Sequence, residues 1–174
     1  MGWVRKFLGD GRGAAAAEMA LMLPLLVTLL FATFEGGYFL WSEHKVVKGV
    51  RDGARYAGRL PFSNYSACGV APATTAVTGQ TLIDIQEVTR TGKPTGGTPM
   101  IPTWDQNSQV TVTCEYVAST SGLYTTNSGN APRVIVTASV PYPSSPITEL
   151  VGALGFTTGN ITLHASSQSP VMGI

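Results

Sequence analysis

Glu18 stands close to the start of a long apolar run that opens at Ala14, where a carboxylate is costly unless a partner shares its charge. The residues before it read Gly13-Ala14-Ala15-Ala16-Ala17. A cut between Gly13 and Ala14 would create an α-ammonium four residues before Glu18. Among parallel helices that ammonium pairs with the carboxylate of its own or a neighbouring chain, which offsets desolvation and fixes the axial register. At the first turn of a helix the backbone dipole alone also favours such a carboxylate. Glu35 lies at the outer border of the same run and suits either pairing with another helix or a headgroup-level position.

Other reactive chemistry is sparse. Cys68 and Cys114 are a disulfide candidate; a count of two does not separate a bridge from two thiols, although an oxidising compartment favours the bridge. Cys68 sits in Phe62–Gly69 with no adjacent base, so a structural role outweighs a nucleophilic one. His44 and His164 have no metal-ligand spacing around them. No GxSxG, P-loop, HExxH or CxxC occurs. The expectation is no catalytic residue, no metal and no cofactor: not an enzyme.

The elements that position these residues follow from composition. The chain has 174 residues, 12% charged, with a net charge of +1. Eight of the 11 Lys and Arg residues fall within the first 59 positions. The distal part, nearly neutral, has no basic cluster of the kind nucleic acid requires. Residues 1–13 form a short basic leader. Residues 14–41 are apolar on every face, uncharged between Glu18 and Glu35, and long enough as a helix to exceed the ~30 Å hydrocarbon thickness of a bilayer. Pro24 lacks the donor for its helical bond, so a kink or local opening is expected there. Residues 42–60 place Val46, Val47, Val50, Ala54 and Ala57 at helical spacing with Lys and Arg between them, as an amphipathic stalk continuing the same helix. Arg51, Arg55 and Arg59 form a basic ridge on it, facing headgroups or the domain, or else a partner. Because Lys and Arg flank both ends of the apolar run, charge alone does not fix the topology.

Residues 61–174 are rich in Thr, Ser, Gly and Pro. Gln80–Thr91 reads as a short helix. Gln109–Ala118, Arg133–Val140 and Asn160–Ser166 alternate as strands, the last with Ile161, Leu163 and Ala165 on one face. Ser119–Pro132 reads as a polar hairpin loop, and Pro141, Pro143 and Pro146 end the second strand. Tyr65, Trp104, Tyr116, Tyr124 and Tyr142 suit either a contact face or ordinary packing. The resulting expectation is an α+β fold, with a long N-terminal transmembrane and amphipathic helix packed against a small antiparallel sheet.

The stretch from Gly13 to Arg59 resembles the TadE/TadG-like pseudopilins of the Tad (tight adherence, Flp-type) pilus system, in the type IV pilus superfamily. The resemblance rests on Gly13 followed by Glu18, Leu23-Pro24, Phe34-Glu35-Gly36 and Asp52-Gly53-Ala54-Arg55-Tyr56-Ala57; distally, Pro141-Tyr142 and Ile161-Thr162-Leu163 agree more loosely. It implies prepilin-peptidase cleavage between Gly13 and Ala14, an assembly and register role for Glu18, and a minor pilin-like function. It also implies the bacterial inner membrane as the site, with the N-terminus cytoplasmic and residues 61–174 periplasmic, or a place in the pilus itself. Implied partners are membrane lipid, the peptidase, other pseudopilins or the major pilin, and the assembly platform. The competing reading is a signal-anchored envelope protein whose β-rich domain binds protein or glycan.

Overall fold

In the computed structural model of the chain, residues 11–119, 122–127, 129–143, 145–153, 155 and 160–173 are described. The leader residues 1–10 and parts of the loop predicted over Ser119–Pro132 lie outside them.

Helix α1, Gly11–Arg59, is continuous over 49 residues, which at the α-helical rise is roughly 73 Å. Ala, Leu and Met dominate its first half, residues with little helical penalty. It stops at Arg59 because Leu60 precedes Pro61, and the residue before a proline is driven out of the helical region. The helical run continues through Pro24 without interruption. The Thr28 hydroxyl donates to the Pro24 carbonyl at 2.8 Å, and the Thr33 hydroxyl to that of Leu29.

After α1 come β1 (Gly69–Val70), β2 (Thr75–Ala76), α2 (Gly79–Thr91), β3 (Val110–Ala118), β4 (Asn130–Pro141), α3 (Pro146–Ala153) and β5 (Thr162–Pro170). The sheet order is β1-β3-β4-β5, with β2 also paired to β3. The three strands expected from alternation are therefore joined by two more. β1 runs parallel to β3 and β2 antiparallel to it, each pairing over two residues, too few to show a period.

Two boundaries are corrected. β4 begins at Asn130, and Pro132 sits opposite Tyr116 inside the ladder instead of closing the loop. The β5 ladder reaches only to Arg133, so Pro132 lies outside the stretch of β4 flanked on both sides, where a missing donor is tolerated. The last strand starts after Ile161 and runs on to Pro170. Ile161 is half-exposed, while its carbonyl accepts from the Tyr142 amide. The Ser166–Ser169 segment is held by main-chain bonds to β4, not by an apolar face.

Val46, Val50, Ala54 and Ala57 of α1 are buried against the sheet with Val110, Val112, Val134, Val136, Val140 and Leu163. This is how a three- to five-stranded sheet with one apolar face is covered. Between α1 and α2 the approach is closer still. A Cβ at Gly49 would stand 2.7 Å from the Trp104 ring, and one at Gly53 would overlap the Thr89 hydroxyl. Tyr65 and Trp104, read in the sequence as either contact face or packing, are core residues, 1% and 0% exposed. Cys68 and Cys114 are joined as a disulfide with Cα atoms 5.2 Å apart, tying the chain before β1 to β3.

Candidate membrane-border and assembly site

Every described side chain of α1 from Gly13 to Phe34 is exposed, although the segment has a mean hydropathy of 2.0 over its most apolar 18 residues. Leu21 is 80% exposed and Phe34 65%. In water such a surface would be strongly unfavourable, at about 25 cal/mol for each Å² of apolar area. Lipid removes that cost, and a helix satisfies its own main-chain bonds there.

Near its inner end, Gly13 and Ala14 are exposed in the first turns of α1, where amide groups lack helical acceptors. Glu18 is exposed one turn on, with no side-chain partner among the described residues. The carboxylate at the other border is not left alone. The Tyr142 hydroxyl, from the segment after β4, donates to Glu35 Oε1 at 2.8 Å. Glu35 thus has a partner within its own chain, in addition to whatever another helix or the headgroups supply.

Around this bond lies an aromatic collar. Tyr142 packs on Phe39 and Tyr38 at centroid distances of 5.4 and 5.9 Å, and Tyr38 stacks on Trp41 at 5.6 Å. Lys45 Nζ lies 4.2 Å over the Trp41 ring and donates to the Met100 carbonyl at 3.2 Å. Amphipathic aromatics and a cation at this level are the furniture of a membrane–water interface. Partial burial raises the Tyr142 pKa above the usual tyrosine value; its bond to Glu35 and the nearby Glu35 and Tyr38 charges push the same way. The phenol is therefore held protonated and able to donate.

Above the collar, α1 is gripped by the domain. Glu115 is almost fully buried on the outer face of β3 and is paired with Arg133 of β4. Tyr65 donates to the Ala57 carbonyl at 2.7 Å, and Tyr116 donates to the Tyr65 carbonyl at 2.7 Å. The Tyr142–Glu35 bond joins residues 107 positions apart and has no local sequence signal. The Gly49 and Gly53 contact had one: two glycines at four-residue spacing on an amphipathic helix mark a close helix approach.

A rod bare of contacts along its apolar half, a collar at the border and a small sheet clasping the other half describe a single-pass, membrane-anchored protein with a small β-rich domain. The model of the family described as TadE-like protein matches residues 13–55, from the Gly13–Ala14 junction into the clasped part of α1. Over that segment the chain is similar to the TadE-like family. No match is found among curated proteins or among solved structures. Among the described residues, no group of His, Cys, Asp and Glu suits a metal ion.

Proposed function

We propose that this protein is a minor pilin-like component of a Tad-type pilus, held in the bacterial inner membrane by α1 before assembly. Residues 1–13 then form the cytoplasmic leader, residues 14–41 the transmembrane part, residues 42–60 the stalk and residues 61–174 the periplasmic domain. A prepilin peptidase removes the leader between Gly13 and Ala14, and the new α-ammonium pairs with Glu18 of its own or a neighbouring chain. Pro24 gives the rod a point of flexure as it leaves lipid. Its partners are sister pseudopilins or the major pilin, and the assembly platform.

The observation that carries this reading is the placement of Glu18, without a partner among the described residues, on an apolar rod exposed from Gly13 to Phe34, four residues after an accessible Gly13–Ala14 bond. A charge there lacks compensation in a lone helix and gains it in a bundle of cleaved ones. The test is the intact mass of the membrane-extracted protein together with piliation of a Glu18→Gln strain. A mature chain starting at Ala14, and loss of pili with insertion preserved, is the expected pair of results. A chain that retains Met1 and a fully piliated mutant would instead favour a signal-anchored envelope protein.

A further inference from the structure

His44, Lys48, Arg51, Arg55 and Arg59 are all exposed on α1. At 100° per residue these five side chains fall within about 80° of arc, opposite Val46, Val50, Ala54 and Ala57. They form a basic stripe roughly 22 Å long. None of them makes an ion pair or a side-chain hydrogen bond among the described residues. Asp52 lies beside the stripe, half-buried, and does not pair with it. Arg59 alone is accounted for by position, since a cation in the last turn complements the helix dipole. Like charges at four-residue spacing in mid-helix repel, so Arg51 and Arg55 contribute nothing favourable to this chain alone.

Lipid phosphate does not account for them. Arg51 and Arg55 lie 16 and 20 residues beyond Glu35 on an unbroken helix, or roughly 24 and 30 Å. The headgroup layer is only about 5–8 Å deep on each side, and a tilt of about 40° leaves both arginines well clear of it. The outer end of the stripe opens into a cleft of about 370 Å³ lined by Arg55, Gly58, Arg59, Ser169, Pro170 and Met172. Two guanidinium groups over a Pro–Met floor suit a carboxylate on an apolar stem. A second copy does not supply it. Two-fold contact through this face would set arginine against arginine, and among the described residues no run of carboxylates matches the stripe.

From this unpaired stripe and its cleft we infer that α1 docks an acidic helical segment of a different subunit, above the membrane. The inference rests on the pilin-like reading and names the chemistry of its partner. The full chain in phosphatidylcholine nanodiscs is titrated with a labelled helical peptide bearing Glu at four-residue spacing, and with its Gln counterpart. The Glu peptide should bind at least about tenfold tighter, an advantage that salt erodes. R51E/R55E should abolish that preference and bind a Lys version of the peptide instead, while the neutral R51Q/R55Q simply loses it. Equal binding of Glu and Gln peptides, or an unchanged preference in R51E/R55E, would overturn the inference. So would Arg51- and Arg55-dependent capture of phosphatidylglycerol vesicles in place of the peptide. The mass of the same variants separates the two levels: a chain that still carries its leader counts against the pilin-like reading, whereas peptide binding decides the stripe by itself.

Discussion

The two halves of α1 share one backbone conformation and almost nothing else. From Met19 to Phe34 the side chains are mostly large, apolar and exposed all round; from Ser42 to Gly58 the inward face is small or β-branched and buried, and the outward face is charged. One half is shaped for a solvent, the other for a fixed neighbour. A lipid-facing surface needs only to be apolar, so Leu, Met and Phe recur without pattern. A protein-facing surface must fit, so Gly49 and Gly53 stand where Trp104 and Thr89 leave no room for a Cβ. Damage to one half should therefore leave the other untouched.

The largest expected effect is on the clasping domain. Replacing Cys68 and Cys114 by Ser opens a loop with a sequence separation of 46, which in the chain-entropy model costs about 4 kcal/mol. The urea midpoint should fall sharply while carbonate-resistant membrane retention stays unchanged. In the lower half, Leu26→Lys places a charge near the centre of the apolar run, at a cost of about 3 kcal/mol. Alkaline carbonate should then release the chain, with its disulfide and protease-resistant domain intact. Loss of the domain in that variant would break the separation. Gly53→Val pushes α1 off Thr89 and should cost about 1–3 kcal/mol of domain stability, read as a lower thermal midpoint with no change in retention. The smallest effect belongs to the border. Tyr142→Phe removes one hydrogen bond to Glu35, about 1 kcal/mol, and should raise proteolysis after β4 before it alters the thermal midpoint.

A pH titration sharpens the same contrast. Burial raises the pKa of Tyr65 well above the ordinary 10.0, and the neighbouring Tyr56 adds to this. The unfolded chain then loses its proton first. Stability from this group is complete below about pH 10 and declines as pH rises above it. Tyr65→Phe should flatten that decline, measured by denaturant midpoints between neutral and strongly alkaline pH.

Legibility in the sequence followed the same division. The rod, the stalk face at Val46, Val50, Ala54 and Ala57, the helix over Gln80–Thr91 and the strands around Val112 and Val136 all carry their period in their own residues. β1 and β2 do not, because two residues have no period and their pairing is decided by β3. The polar end of β5 is a strand only because β4 hydrogen-bonds to it. Trp104 gave no sign that it fills the space over Gly49, since that contact joins segments far apart in the chain. Of the site, Glu18 and Glu35 were visible as charges beside an apolar run, whereas Tyr142 as the partner of Glu35 was not. That bond depends on the β4 end being carried down to the border by the whole sheet.

The absence of a joint between the free and the clasped parts of α1 has a mechanical meaning. Contacts from Ser42 to Gly58 lie side by side along roughly 25 Å of the axis, and the Gly58 carbonyl is held by the Met172 amide. A tug on the sheet along that axis loads all of them together in shear, with none exposed to peeling. An axial load on the domain would therefore reach α1 through all of these contacts at once.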